Sequence, residues 1–364
     1  MTSGRSLFSL FLTLLFATAA FAQSGGNFNI NRSVIASGGG RTSGGTFTLD
    51  GTIGQPLAGV QSTGGNLSLI SGFWATPPAA QTPRRPAFDF DGDGKTDVGI
   101  FRPAPAEWWY LKSSNGGNAA AQFGQTTDKI VPGDYTGDGK WDFAFFRPST
   151  GFWYILRSED FSFYAFPFGS GTDIPAPADY DGDGKTDAAV FRASAGTWFI
   201  QRSTDGGVTI TPFGSSADLP VPADYDGDGK ADVAIWRPNG ANGAEWWLLR
   251  STAGLVATVF GLPGDDTVPG DYTGDGKADI AFYRPTGGVN WYILRSEDFS
   301  FYALPFGASG DLAAPGDYDG DGKADQGVFR ASQATWYLNR STAGVGIVGF
   351  GASGDVPLQG AYIR

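Results

Sequence analysis

Nine residues recur six times along this 364-residue chain, and their carboxylates are spaced to hold a cation. The fullest copy runs Asp179-Tyr180-Asp181-Gly182-Asp183-Gly184-Lys185-Thr186-Asp187, with acids at the first, third, fifth and ninth positions around two glycines. Carboxylates this close repel one another: each pair at ~4 Å costs on the order of 1 kcal/mol in water, and more where solvent is excluded. A hard divalent cation relieves that repulsion. Calcium takes oxygens from carboxylates, carbonyls and water, and the glycines let the chain turn sharply enough for alternate side chains to converge.

The expected ligands in that copy are Asp179, Asp181, Asp183, the backbone carbonyl of Lys185, and Asp187. Two sets precede it: Asp89, Asp91, Asp93, Lys95 and Asp97, then Asp134, Thr136, Asp138, Lys140 and Asp142. Three follow: Asp224, Asp226, Asp228, Lys230 and Asp232; Asp271, Thr273, Asp275, Lys277 and Asp279; and Asp317, Asp319, Asp321, Lys323 and Asp325. Thr136 and Thr273 offer neutral hydroxyls, so those two loops are expected to bind more weakly or to recruit water. The pattern resembles the first half of an EF-hand loop. However, the ninth position leads into strand-like runs such as Phe143-Ala144-Phe145-Phe146, with no helix and no bidentate Glu at the twelfth position. About six Ca2+ sites are therefore expected.

Composition narrows the chemistry further. With no Cys and no His, the chain has no thiol nucleophile, no disulfide, no usual zinc site and no triad histidine. No Asp, Lys or Tyr constellation is unique to one repeat, so no catalytic residue is expected. The formal charge is −12. Loss of Arg5 with a leader would make it −13, and six divalent cations would bring it to about −1, so the acidity matches an ion-binding requirement. An acidic chain without a basic stripe offers no track for nucleic acid.

Residues 1–22 read as a secretory signal: Arg5, an apolar run from Leu7 to Phe16, and Ala20-Phe21-Ala22 as a small-x-small cleavage site. No later stretch approaches the roughly 20 apolar residues of a membrane span, so a secreted protein, extracellular or at the cell surface, is expected. Residues 23–75 are rich in Gly, Ser and Thr, with short strand-like segments at Phe28-Asn29-Ile30, Thr46-Phe47-Thr48-Leu49 and Asn66-Leu67-Ser68-Leu69-Ile70. This β leader resembles a Gly-rich module found at the start of many secreted bacterial repeat proteins. Residues 76–86 form a Pro-rich connector.

The elements that must position the acidic loops occupy residues 87–364. Each unit has a short strand into the loop, an apolar strand after it, an aromatic strand such as Glu245-Trp246-Trp247-Leu248-Leu249-Arg250, and a strand ending in Phe-Gly. Four strands per unit make a propeller blade, so the fold class is all-β. Phe-Gly recurs at Phe123-Gly124, Phe168-Gly169, Phe213-Gly214, Phe260-Gly261, Phe306-Gly307 and Phe350-Gly351. With the acidic loops, this resembles the FG-GAP repeats of integrin alpha chains and the related VCBS-type calcium-loop repeats of bacterial surface proteins. The resemblance implies a β-propeller whose ions brace hairpin loops. Arg-Pro or Arg-Ala stands where that family often has Gly-Ala-Pro, which leaves partner specificity open.

A longer period sets the blade number. Unit one matches unit four at Glu107-Trp108-Trp109 and Glu245-Trp246-Trp247, and units two and five share thirteen residues from Trp153 and from Trp291. A duplicated three-blade half favours six blades, closed by the loop-less segment 355–364. Seven is the alternative if that segment recruits strands from the leader.

Trp108, Trp153, Trp198, Trp246, Trp291 and Trp336 hold equivalent places, with Arg157, Arg202, Arg250, Arg295 and Arg340 after all but the first. Aromatic faces with Arg suit sugar rings, but a strand with bulky residues on both faces is also what a two-sided core requires, and core packing is the stronger expectation. The repeated Phe-Arg or Trp-Arg pairs read as inter-blade ion pairs with loop acids. The sequence thus implies a secreted, calcium-binding, non-catalytic adhesion or recognition scaffold for an extracellular protein or polysaccharide. A lectin-like carbohydrate binder is second, and a calcium-assisted polysaccharide lyase is a remote third. The sequence does not indicate an oligomeric state.

Overall fold

The computed structural model describes residues 85–364 in full and, before them, only the backbone of four short strands. Those strands form two antiparallel hairpins, Gly40–Gly44 with Phe47–Gly51 and Gln61–Gly64 with Leu67–Ile70. The expected signal segment, the strand at Phe28–Ile30 and most of the Pro-rich connector lie outside the described residues. The chain divides into two compact units, Met1–Ala80 and Gln81–Arg364.

The second unit is a six-bladed β-propeller of four-stranded antiparallel sheets. Blade two shows the pattern: Lys129–Ile130, Phe143–Arg147, Phe152–Leu156 and Phe163–Pro167 pair in that order. Each second strand opens with four consecutive buried residues, as in Phe143-Ala144-Phe145-Phe146. Such a run cannot satisfy a sheet with one wet face, so it must lie between neighbouring blades. Six separate apolar clusters fill those gaps, each joining one blade to the next. Trp108 and Phe101 meet Phe143 and Leu156 of blade two, and the cluster of Phe329 and Trp336 meets Val98 and Ile100, which closes the circle. Fourth strands alternate exposed and half-buried residues, as expected of an outer edge with one packed face.

Blade one is assembled from both ends of the repeat array: Val356–Pro357 pairs with Val98–Arg102, which pairs with Glu107–Leu111 and then Asn118–Gln122. Beyond that strand the chain turns through a short 3₁₀ segment, Leu358–Tyr362, among the first strands of other blades. There the Tyr362 hydroxyl donates to the Pro132 carbonyl, the Arg364 amide to Thr267 Oγ1 at 3.1 Å, and Arg364 Nη2 to the Pro175 carbonyl at 3.0 Å. In blades three and six, where Ala replaces the Pro of Arg-Pro, the turn after the second strand is a 3₁₀ segment, Ala193–Ala195 and Ala331–Gln333.

The six equivalent tryptophans are all fully buried, which removes them from any contact with a sugar. In five blades the indole N–H donates to the carbonyl of the Phe in Phe-Gly, from 2.7 Å for Trp108 to Phe123 up to 3.1 Å for Trp198 to Phe213. The aromatic strand is therefore tied to the Phe-Gly turn of its own blade.

The Arg residues that end the second strands correct one expectation. Arg192 pairs with Asp173 at 2.9 Å and Arg147 with Asp128 at 2.8 Å, inside one blade rather than between blades, and not with loop acids. Arg102, Arg237, Arg284 and Arg330 do the same with Asp355, Asp218, Asp265 and Asp311. Each Asp stands four residues after the Gly of Phe-Gly, just before the first strand, so the pair pins that two-residue strand to its neighbour. Burial pushes the Asp173 carboxyl up, yet Arg192 and the Ser170 amide more than offset it and hold the pKa below the usual range.

Candidate metal centres

In blades two to six the acidic loop connects the first and second strands, and its ends are held by antiparallel bridges such as Gly133 with Asp142 and Ala223 with Asp232. In blade one, whose first strand comes from the far end of the repeat array, the loop leads into the second strand and the Asp97 amide donates to the Phe88 carbonyl at 3.0 Å. The second-position Tyr anchors the turn: its ring is largely buried, and its hydroxyl donates to the carbonyl just after the first strand, as from Tyr225 to Val221 at 2.8 Å. Phe90 fills that place in blade one without a hydroxyl. Gly92 and Gly94 have φ of 80° and 86°, a left-handed backbone that any other residue would strain, and the other loops repeat it.

Within each loop the first carboxylate is gripped by its own backbone. Asp179 accepts from Gly182 N at 2.6 Å and from Gly184 N at 2.8 Å, an arrangement that all six copies share. The ninth carboxylate is buried and accepts from the second-position amide and from a Ser amide after the third strand, as Asp187 does from Tyr180 at 2.8 Å and Ser203 at 2.6 Å. Burial pushes the carboxyls of Asp97 and Asp142 up to about 7, and those of Asp187, Asp232, Asp279 and Asp325 up to about 6, despite these amide bonds.

Four loops gather three carboxylates with ligand atoms all within 4.8 Å of one another: Asp89, Asp91 and Asp97; Asp179, Asp181 and Asp187; Asp224, Asp226 and Asp232; and Asp317, Asp319 and Asp325. These clusters could hold a metal ion. The fifth-position carboxylate stands outside them: Asp93 accepts from Lys95 N at 3.0 Å and from Ser113 Oγ at 2.8 Å at the loop's rim. In blades two and five only the first and ninth acids remain, with Thr136 or Thr273 between them. In blade two the Arg85 guanidinium also lies against Gly139 and lowers the Asp134 pKa, which burial raises overall.

A buried polar atom without a partner costs free energy, so it marks where something is missing. Five third-position oxygens are in that state: Asp91 Oδ1, Thr136 Oγ1, Asp226 Oδ1, Thr273 Oγ1 and Asp319 Oδ1. In the remaining copy Asp181 Oδ1 accepts only a long 3.3 Å bond from Asp183 N. The vacant lone pairs face a set of hard oxygens whose charges repel, and the donor set therefore fits a hard cation.

The loops are also joined to each other. The eighth-position amide of each donates to the first-position carbonyl of the loop in the preceding blade, from Trp141 to Asp89 at 2.8 Å, through Thr186 to Asp134 at 2.7 Å, to Thr96 to Asp317 at 2.7 Å across the closure. Each Lys lies over the fourth-position glycine of the preceding loop, with Lys140 Cε 3.1 Å from where a Cβ on Gly92 would sit. Sequence reasoning placed the lysines only as carbonyl ligands and missed this stitching. It also missed the Ser after the third strand and the buried Asp after Phe-Gly, although both recur in all six repeats at near-constant spacing.

Among the described residues no helix is long and apolar enough to cross a membrane. An FG-GAP-like repeat model matches four times, over residues 134–190, 179–235, 224–282 and 271–328, which together span more than half of the chain. No curated protein sequence matches significantly. A lectin from Agrocybe aegerita, described as recognising non-reducing terminal N-acetylglucosamine, is similar at 16% identity and a TM-score of 0.46, covering 72% of this chain and 89% of that one. TolB from Acinetobacter baumannii is similar at 13% and 0.45, over 75% and 66% of the two chains. A catalytically inactive virginiamycin B lyase from Staphylococcus aureus is similar at 8% and 0.45, over 76% and 95%. Likenesses this distant carry nothing over to this chain. The repeat matches, with the blade topology and loop geometry above, make the chain a member of the FG-GAP-like repeat family.

Proposed function

We propose that this protein is a secreted β-propeller that binds calcium in its acidic loops and serves as a non-catalytic adhesion or recognition scaffold. One observation carries the metal reading: at the centre of five loops a buried third-position oxygen has no partner, beside carboxylates that repel one another. Bound there, calcium neutralises the first-, third- and ninth-position acids and locks the loop's turn. Because each loop hydrogen-bonds to the next, occupancy braces the ring as well as the hairpin.

The expected size of the effect follows from mass action. Extracellular calcium modules bind with dissociation constants of about 0.1–1 mM, and free ion at ten times that value adds about 1.4 kcal/mol per site. Six sites would contribute roughly 8 kcal/mol, comparable to the net stability of a domain at about 5–15 kcal/mol. A chain that depends on millimolar calcium belongs outside the cell, in keeping with the signal-like residues 1–22. Repetition without a singular polar cluster suits a binding surface for an extracellular protein or polysaccharide better than catalysis. Thermal melting of metal-depleted protein with and without 5 mM calcium tests the scaffold reading, and a midpoint that does not move would remove the metal from it.

A further inference from the structure

In four blades the third-position carboxylate is met from across the blade by a hydroxyl residue in the turn after the third strand. Ser114 Oγ donates to Asp91 Oδ2 at 2.6 Å, Thr204 Oγ1 to Asp181 Oδ2 at 2.6 Å, and Thr252 Oγ1 to Asp226 Oδ2 at 2.8 Å. In blade six the Thr342 amide donates to Asp319 Oδ2 at 2.9 Å, while its hydroxyl turns to Asp321. The Ser immediately before this residue fixes the turn in every blade, because its amide always donates to the ninth carboxylate. Ser158 to Asp142 and Ser296 to Asp279, both 2.8 Å, match Ser113 to Asp97 at 2.7 Å. The backbone therefore brings the next residue to the same place beside the third position in all six blades.

In blades two and five that next residue is Glu159 or Glu297, and these are the two blades whose loops carry Thr136 and Thr273. The carboxylate and the hydroxyl have exchanged sides of one gap. Both Thr hydroxyls are wholly buried without a partner. In blade five Thr273 and Glu297 line a cleft of about 350 Å³ with Arg295, Tyr302 and Lys323, so there is room for the Glu side chain to swing toward the hydroxyl.

We propose that blades two and five hold divalent cations through a carboxylate supplied by the turn, Glu159 beside Thr136 and Glu297 beside Thr273. This rests on the calcium reading of the acidic loops and extends it to the two blades that lack a three-carboxylate cluster within the loop. With the first- and ninth-position acids the exchange gives each of these sites three carboxylates, as in the clusters of the other four loops, so these two sites need not be weak. It also changes what the ion does. In the other blades the turn reaches the site through hydrogen bonds to a ligand, whereas here the ion joins the loop between the first two strands to the turn between the last two. That turn and the start of the fourth strand carry the exposed Phe161 and Phe163, or Phe299 and Phe301, so cation binding orders an apolar surface at two opposite blades.

Equilibrium dialysis of the full chain against labelled calcium tests this by counting bound ions for the wild type and for Glu159→Gln/Glu297→Gln, with Glu245→Gln as a control outside the loops. The double variant is expected to lose two ions relative to wild type, or to bind two of them about tenfold or more weakly. Adding Thr136→Asp/Thr273→Asp to the double variant restores both. Hydrogen exchange across residues 157–163 and 295–301 slows with calcium in the wild type and not in the double variant, and circular dichroism confirms that the variants are folded. Unchanged stoichiometry and affinity in the double variant, or a wild type that binds only four ions, overturns the proposal and leaves the calcium reading standing. A wild type that binds no ion overturns both.

Discussion

The ninth-position aspartates join two demands that conflict without a cation. Their place at the root of the loop needs burial and amide hydrogen bonds, and burial raises their pKa values above the usual aspartate range to about 6 or 7. A carboxyl whose folded pKa lies above its unfolded one stabilises the fold while protonated, and that contribution is lost as pH rises through the folded value. Metal-depleted protein is therefore expected to melt at progressively lower temperature between pH 4 and pH 7.5, read by calorimetry. With calcium present the trend reverses over the same range, because the ion binds the deprotonated ligands. The Arg–Asp pairs pose a simpler test: Arg192→Ala strands Asp173, whose side chain is wholly buried, and is expected to cost about 2–4 kcal/mol in urea unfolding. The loop acids were plain in the sequence because four of them crowd nine residues. Asp173 and its equivalents were not, since a lone Asp in a Gly-Ser turn reads as solvated until a strand 19 residues on supplies its Arg.

At the scale of the strand, the second and third strands of each blade are specified almost completely by their own residues. Four apolar residues in a row demand cover on both faces, and the Trp at the second place of the aromatic strand, or the fourth in the longer strand of blade four, fills the space between blades. Trp198→Ala would open a cavity in the cluster that joins blades three and four and is expected to cost about 3–5 kcal/mol in the same denaturant experiment. The first strands are a different case. Two residues long, they carry no periodicity to read; they exist because the Arg–Asp pair on one side and the acidic loop on the other leave the intervening backbone nowhere else to bond. The Phe-Gly turn, familiar as a repeat marker, acquires a physical role from the indole hydrogen bond to the Phe carbonyl.

For the propeller as a whole, the closure between blades six and one decides whether six local units become one ring. Beside the apolar cluster of Phe329, Trp336, Val98 and Ile100, three polar and backbone contacts make it: Val356–Pro357 on Val98–Arg102, Arg102 on Asp355 at 2.8 Å, and the loop contact in which Thr96 N meets the Asp317 carbonyl while Thr96 Oγ1 accepts from Asp317 N at 2.9 Å. Replacing Thr96 by Val keeps the shape and deletes the hydroxyl, and is expected to lower stability by about 1 kcal/mol. Because the same loop contributes Asp89, Asp91 and Asp97 to a carboxylate cluster that could hold a metal ion, the loss should be larger in metal-depleted protein than in calcium, a difference that paired urea titrations would read.

What the sequence determined alone was whatever depends on near neighbours in the chain, the acidic loops and the four-strand unit; it favoured a buried Trp and, through the three-unit duplication, six blades over seven, and the folded structure decided both. The loops and strands are legible because a loop ligand set lies within nine residues and a strand's burial within five. Tertiary structure alone decided the relations between units. The loop-to-loop ring, the blade-internal Arg–Asp pairs and the bond from the Ser158 amide to Asp142 join residues that are close only after the sheets have formed. A sequence states which groups can bond, but distance in space, fixed by the folded sheets, states which of them do.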